Sequence, residues 1–137
     1  NVVTRLTEEF SDLAELKRVT LDIQQPGKLS VEMNADLCSV MLSNLIKNAI
    51  THNIPEGHIS ITILDDALII TNTGTTEPLD PEQVFLRFHK GASTGDSTGL
   101  GLAIVKTIAD LYGIRVTYQF TDVHTFRLVF PAIPILS

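Results

Sequence analysis

At positions 97–106 the chain reads Ser97-Thr98-Gly99-Leu100-Gly101-Leu102-Ala103-Ile104-Val105-Lys106. Two glycines flank one leucine there, at the point where a helical pattern begins. Glycine lets the backbone approach a ligand closely, and the first N–H groups of a helix attract anions because they have no partner within the helix. Ordinary helix-entry turns have the same pattern. At this point the sequence is therefore compatible with either a phosphate cradle or a plain turn.

Composition limits the other classes of function. The 137 residues suffice for a single domain spanning 1–137, and the net charge of −6 argues against binding nucleic acid. Cys38 is the one cysteine, so no intramolecular disulfide forms. No apolar run approaches the roughly 18 residues that cross a bilayer, so we expect no direct membrane contact. The sequence opens on Asn1 inside a helical pattern, which suggests a domain taken from a longer polypeptide.

The hydrophobic periodicity predicts helices separated by strand pairs. We expect an α+β two-layer sandwich, in which three main helices cover one face of a mixed, mostly antiparallel sheet of five or six strands. A long segment at about 74–98 has no sustained period and is predicted to form a lid. The predicted helices are 3–16, 36–52 and the one that begins at the glycines. Strands 19–23 and 29–33 are predicted to form a hairpin, and strands 115–120 and 124–130 a second hairpin. The other predicted strands are 58–64 and 67–72, the latter at the centre of the sheet.

Two of the predicted helices have one face assigned to the core. On the second helix, Asn44, Asn48 and Thr51 share another face, with His52 at its margin. Two amide side chains one turn apart could coordinate a hydrated cation, although polar residues on an outer face are usually only solvated. The expected core residues are Cys38, Leu42, Leu45, Ile46 and Ala49 on the second helix, and Leu100, Ala103, Ile104, Thr107, Ile108 and Leu111 on the last.

Four separated motifs and a closing strand follow one another in a fixed order. They are Asn44-Leu45-Ile46-Lys47-Asn48-Ala49; Asn72-Thr73-Gly74; residues 84–91; residues 99–106; and, as the closing strand, Thr125-Phe126 with Phe130-Pro131. In this order they resemble the N box, the first glycine box, the F box, the second glycine box and the closing strand of the catalytic and ATP-binding domain of sensor histidine kinases. This domain has the Bergerat fold and belongs to the superfamily that also contains gyrase, the Hsp90 chaperone and MutL.

The resemblance implies ATP and Mg²⁺ as cofactors and gives individual residues roles. Asn48 would ligate Mg²⁺, with Asn44 close to the same phosphates. Lys90 and Arg87 would bring catalytic charge from the lid, unless Arg87 only pairs with an acidic neighbour. Phe88 would either anchor the hinge of the lid or contact the nucleotide directly. The remaining residues expected to bind the nucleotide are His52, Asn72, Gly74, Gly99, Leu100, Gly101, Leu102 and Thr125.

The chain departs from the family pattern at Asn72, Thr76 and Ser97, and from its hydrolytic relatives at Asn44. Asn72 stands where the family usually has the aspartate that accepts from the adenine amino group; an amide oxygen can still accept, though uncharged. Thr76 and Ser97 replace glycines. Asn44 occupies the position at which hydrolytic relatives carry a glutamate base, and an amide cannot act as a base. Phosphoryl transfer is therefore favoured over hydrolysis.

The predicted function is to donate the γ-phosphate of Mg-ATP to a histidine on a separate dimerisation and phosphoacceptor domain. None of the four histidines of this chain is followed by the pattern of a phosphoacceptor helix. The implied partners are that helical domain and a response regulator, and the implied location is the cytoplasmic part of a membrane-bound sensor kinase. Two alternatives stay open: a degenerate nucleotide-binding module with a docking role, and a serine kinase of the anti-sigma type.

Overall fold

The computed structural model of the chain describes residues 2–29, 33–74, 101–120 and 123–131. Three helices and five strands lie within these ranges. Apart from Gly74, the predicted lid at 74–98 falls outside the described residues. The elements in chain order are α1 (Val2–Leu16), β1 (Thr20–Gln24), α2 (Ala35–Thr51), β2 (His58–Ile63), β3 (Ala67–Asn72), α3 (Gly101–Tyr112), β4 (Arg115–Phe120) and β5 (His124–Val129).

The strands form one mixed sheet in the order β1-β2-β3-β5-β4. β1 and β2 run parallel, and the other three neighbouring pairs are antiparallel. β3 lies in the centre, as its almost continuous apolar sequence predicted. The α+β class and the mostly antiparallel sheet are thus confirmed, with five strands in the described ranges.

The pairing of β1 differs from the prediction. The sequence predicted a hairpin between residues 19–23 and 29–33, whereas β1 pairs in parallel with β2. The turn after β1 instead packs on the turn between β2 and β3: the Gly27 amide donates to the Ile63 carbonyl at 3.0 Å. A Cβ atom on Gly27 would lie 2.4 Å from the Asp65 backbone, so only glycine fits this contact. Leu29 and Met33 are outside any strand, and residues 30–32 lie beyond the described part of the chain.

The helices form a layer over one face of the sheet. α1 contacts β1 and α2, α2 contacts β3 and α3, and α3 contacts β4. The alternation in β2 buries Ile59, Ile61 and Ile63 toward this layer, as predicted. In the described ranges, no helix has the length and apolarity needed to span a membrane. The largest fully buried side chains are Met41, Leu45, Ile46, Ile50, Ile59, Ile61, Leu68, Ile70, Val105, Phe126 and Leu128.

The buried side of α3 is displaced from the predicted stripe. Val105, Ile108 and Ala109 are buried with Ala103, whereas Ile104 is 38% and Leu111 69% exposed. Thr107 is also exposed, and Leu100 lies outside the described residues. The prediction is confirmed for Ala103 and Ile108 and wrong for the three exposed residues, because apolar residues occur on more than one side of this helix. Packing on α2 and β4 decides which side is buried.

Candidate functional site

α2 carries the two asparagines that the sequence singled out. Asn34 caps the helix, and its side chain accepts from the Leu37 amide at 3.0 Å. The face predicted to be core is buried at Leu42, Leu45, Ile46 and Ala49, with Cys38 half-buried. Asn44, Asn48 and Thr51 are half-buried on the other side, and His52 is the exposed C-cap. The amphipathic pattern therefore places both asparagines beside the core without enclosing them.

Asn44 meets the beginning of α3. Its Nδ2 donates to the Val40 carbonyl one turn earlier, at 2.7 Å. A Cβ atom on Gly101 would stand 3.2 Å from Asn44 Oδ1, closer than most real contacts of a Cβ. The absence of a side chain at Gly101, the first residue of α3, therefore lets the Asn44 side chain lie close to the start of this helix. Phosphate oxygens fit such a place because backbone N–H groups at a helix start are free to donate.

Asn72 ends the central strand with a buried amide. The side chain is 4% exposed and lies between Ile59 of β2 and His124 of β5. Nδ2 donates to the Thr73 carbonyl at 2.8 Å, while Oδ1 is buried without a hydrogen-bond partner. Leaving a buried acceptor unpaired costs about 1–3 kcal/mol. The amino group of adenine is a donor of the kind that this oxygen lacks, so Asn72 fits an adenine ligand.

Gly74 follows β3 and lies close to the end of α2 and to the start of β5. A Cβ atom there would lie 3.0 Å from both the His124 ring and the His52 carbonyl oxygen. The chain leaving β3 therefore passes closely between the end of α2 and the start of β5. This close approach connects the predicted site residues His52, Asn72 and Gly74, which sequence order alone could not place together.

His124 lies beside the candidate site, although the sequence motifs do not single it out. The closing-strand motif points to Thr125 instead. In the structure Thr125 pairs with Thr71, and the alternation of β5 turns both away from the side that carries Asn72. His124 is 7% exposed, and its Nδ1 lies 2.6 Å from the Tyr118 hydroxyl. The buried positions Phe126 and Leu128 gave a usable signal, since period-two alternation puts His124 on their face.

Several predicted site residues lie outside the described part of the chain. These are Arg87, Phe88, Lys90, Gly99 and Leu100, and the altered positions Thr76 and Ser97 fall there too. Their roles stay predictions. Leu102, the second residue of α3, is half-buried close to Gly101.

The described site contains few charges. Within the described ranges, no three His, Cys, Asp or Glu side chains converge on a possible metal site. Asp36 is the only carboxylate of α2, and it lies in the first turn, at the opposite end from Asn48. A magnesium ion here would therefore depend on asparagine and phosphate oxygens, both of which are hard ligands that suit it. Burial raises the pKa of the Cys38 thiol, and Arg5 partly opposes the shift, so this thiol is no ready nucleophile.

An open cleft elsewhere does not coincide with these residues. It lies between α1 and the edge strand β1, has a volume of about 720 Å³ and is lined by Ser11, Arg18 and Asp22 among others. It contains none of the motif residues. We therefore place the candidate site at the ends of α2 and β3 and the start of α3, because the orphaned acceptor and the open glycine position are there.

Comparisons with known proteins identify the family of this chain. The family described as "Histidine kinase-, DNA gyrase B-, and HSP90-like ATPase" matches residues 33–134. The sensor histidine kinase HprS of Escherichia coli is 39% identical over 98 residues, 66% of this chain and 22% of its own length. The sensor protein CzcS of Cupriavidus metallidurans is 32% identical over 118 residues, 80% of this chain and 24% of its own. The chain thus spans about a quarter or less of the length of these two relatives.

Solved structures show the same fold. The catalytic domain of the histidine kinase ThkA aligns with a TM-score of 0.83 over 95% of this chain and 90% of its own, at 23% identity. The mycobacterial sensor histidine kinase MprB aligns with a TM-score of 0.77 over 97% of each chain, at 20% identity. The chain therefore belongs to the histidine kinase-, DNA gyrase B- and HSP90-like ATPase family, as a catalytic domain of the sensor histidine kinase type.

Proposed function

We propose that this chain binds Mg²⁺-ATP and donates the γ-phosphate to a histidine on a separate phosphoacceptor domain. The observation that carries the proposal is the contact between Asn44 and Gly101, which brings the glycine-marked start of α3 beside the asparagines of α2. The unpartnered Oδ1 of Asn72 supports it independently at the opposite, base-binding end of the site.

Each end of the site has its own task in this proposal. Asn72 accepts from the adenine amino group, while Gly74 and His52 surround the base. Asn48 holds the metal through its amide oxygen, and Asn44 and the backbone of 99–102 bind the phosphates. When bound, Mg²⁺ neutralises phosphate charge in the transition state. Lys90, Arg87 and Phe88 complete the site from the lid.

The proposed reaction is transfer to an imidazole nitrogen. Its lone pair forms the new bond to the γ-phosphorus, the bond from that phosphorus to the β–γ bridging oxygen breaks, and ADP leaves. Hydrolysis would need a base for water, but within α2 Asn44 is an amide, and Asp36, the only carboxylate of this helix, lies at its far end. Positioning and electrostatic stabilisation suffice for a nucleophile with its own lone pair.

The acceptor lies outside this chain in our proposal. The relatives HprS and CzcS are named as a sensor histidine kinase and a sensor protein, and each is several times longer than the matched region. We infer that this chain works as one domain of a comparable sensor kinase. Its partners would then be a helical dimerisation and phosphoacceptor domain and a response regulator, and its place the cytoplasmic side of a membrane-bound protein.

Calorimetric titration with a non-hydrolysable ATP analogue tests the binding step. We expect one site per chain, tighter with Mg²⁺ than without it, and loss of this Mg²⁺ dependence in Asn48→Ala. The matched control Asn34→Ala removes an asparagine at the other end of α2 and should keep the dependence. A docking module that has lost the nucleotide would give no heat of binding. Unchanged Mg²⁺-dependent affinity in Asn48→Ala would contradict the metal role.

A further inference from the structure

We propose that Asn53 and Thr73 are positioning residues for the base end of the nucleotide site. They fix the Thr73 carbonyl, which turns the Asn72 amide so that its oxygen is left to accept, and the site thereby selects purines with an amino group at carbon 6. This inference rests on the proposed nucleotide function. It adds a specificity device, built from residues that bind no nucleotide themselves.

Thr73 is held from two directions. Its backbone amide donates to the His58 carbonyl at 3.0 Å. Its hydroxyl lies 2.6 Å from Asn53 Oδ1, to which it donates, and accepts from the His58 amide at 2.8 Å. The residue after β3 is therefore tied both to the loop that follows α2 and to the start of β2. These bonds fix the Cα of Thr73, and the close packing of Gly74 against His52 and His124 limits the rotation about the Cα–C bond that directs the Thr73 carbonyl.

Gly57 closes this cluster. A Cβ atom on Gly57 would stand 1.9 Å from Asn53 Oδ1 and 2.5 Å from Thr73 Oγ1, distances that no real side chain occupies. Asn53 Oδ1 also accepts from the Ile54 amide at 2.8 Å. The contact between Asn53 and Thr73 is thus packed as well as hydrogen-bonded, because the glycine lets the loop lie directly on it.

The carbonyl of Thr73 decides which way the Asn72 amide is turned. An amide group offers a donor on one side and an acceptor on the other. Nδ2 donates to the Thr73 carbonyl at 2.8 Å, and the reverse orientation would bring two acceptors together. Oδ1 is therefore the atom left over, buried and without a partner. A purine with an amino group at carbon 6 supplies its missing donor, whereas a purine with a carbonyl there would repel it.

Calorimetry with two diphosphates in Mg²⁺ buffer gives the test. ADP carries the amino group at carbon 6 and IDP carries a carbonyl there. We expect the native chain to prefer ADP by about tenfold or more, because a site built to pair a donor rejects the analogue that lacks it. Thr73→Val and Asn53→Ala should lower this ratio by about threefold or more. The matched control is Thr7→Val: this buried hydroxyl bonds to the Thr4 carbonyl within α1, so its loss should leave the ratio unchanged.

The outcomes separate this inference from the function on which it rests. Binding of neither diphosphate by the native chain would overturn both. Equal binding of ADP and IDP by the native chain would overturn the inference and leave the proposed function standing. A native-like ratio in folded Thr73→Val and Asn53→Ala would refute the positioning role.

Discussion

Gly101→Ala should separate the stability of this chain from its nucleotide binding. Alanine is favoured over glycine within a helix by up to about 1 kcal/mol. The new methyl group would lie 3.2 Å from Asn44 Oδ1, so that oxygen must move by a few tenths of an ångström. Asn44 is held by its bond to the Val40 carbonyl, and the strain is of the same order as the gain. We expect the free energy of unfolding to change by less than about 1 kcal/mol, or roughly 4 °C in Tm.

Nucleotide binding by Gly101→Ala should weaken although its stability hardly changes, because the methyl group occupies the place where the start of α3 would meet the phosphates. We expect at least a tenfold weaker affinity for the ATP analogue. A ligand at 100 times its Kd stabilises the native chain by about 2.7 kcal/mol. At the same concentration, a tenfold weaker variant gains only about 1.4 kcal/mol. The ligand-induced rise in Tm should therefore be about halved, which differential scanning fluorimetry resolves.

Gly113→Ala is the matched control with the opposite pattern. Gly113 follows α3 with φ +69°, a left-handed conformation that costs an alanine about 1–2 kcal/mol. Its Cβ would make an ordinary contact, 3.9 Å from Pro131 Cγ. Tm should fall while the ligand-induced rise stays native. The reasoning is refuted if Gly101→Ala keeps the full ligand-induced rise, or if Gly113→Ala loses it without losing stability.

Two further predictions concern α2. Asn34→Ala removes the acceptor for the Leu37 amide and should lower the free energy of unfolding by about 0.5–2 kcal/mol in urea, with Asn34→Ser close to native; an alanine variant as stable as the native chain would contradict the cap. Burial raises the pKa of the Cys38 thiol and Arg5 lowers it, so Arg5→Gln should raise the pKa further and slow alkylation by iodoacetamide at pH 8 on the order of twofold. Faster alkylation of Cys38 in Arg5→Gln would contradict the prediction, because it would show that Arg5 raises the pKa of the thiol.

The sequence alone was sufficient to predict those elements in which buried residues recur with a regular local period. The alternation of Ile59, Ile61 and Ile63 and the continuous apolar run of β3 gave both strands and the central place of β3. The α2 face was predicted from helical spacing, since one continuous core covers it. These patterns also placed Asn72 at a strand end, which is where a polar side chain can serve a site.

The features that the sequence did not predict depend on which helices and strands pack or pair with each other. A local sequence pattern does not specify this. The alternation in β1 does not specify which strand pairs with it. In the structure β1 pairs with β2, and the close packing of Gly27 holds the turn after β1 in place. Apolar Ile104 and Leu111 extended the predicted stripe of α3, but the packing of that helix leaves both exposed.

At the start of β5, a step of one residue decides which face a side chain occupies. The closing-strand motif points to Thr125, whereas the residue beside Asn72 in the structure is His124. The unpartnered oxygen of Asn72 was equally beyond a sequence pattern, because it arises from the direction of the Thr73 carbonyl.

The most direct test of the central claim is transfer of labelled γ-phosphate from Mg²⁺-ATP to the isolated phosphoacceptor domain of the parent kinase. We predict no label on this chain alone. With the acceptor domain present, we predict label on that domain in an acid-labile, base-stable bond, as expected for phosphohistidine. Release of inorganic phosphate without transfer, or an acid-stable label on serine, would contradict the proposed histidine phosphotransfer.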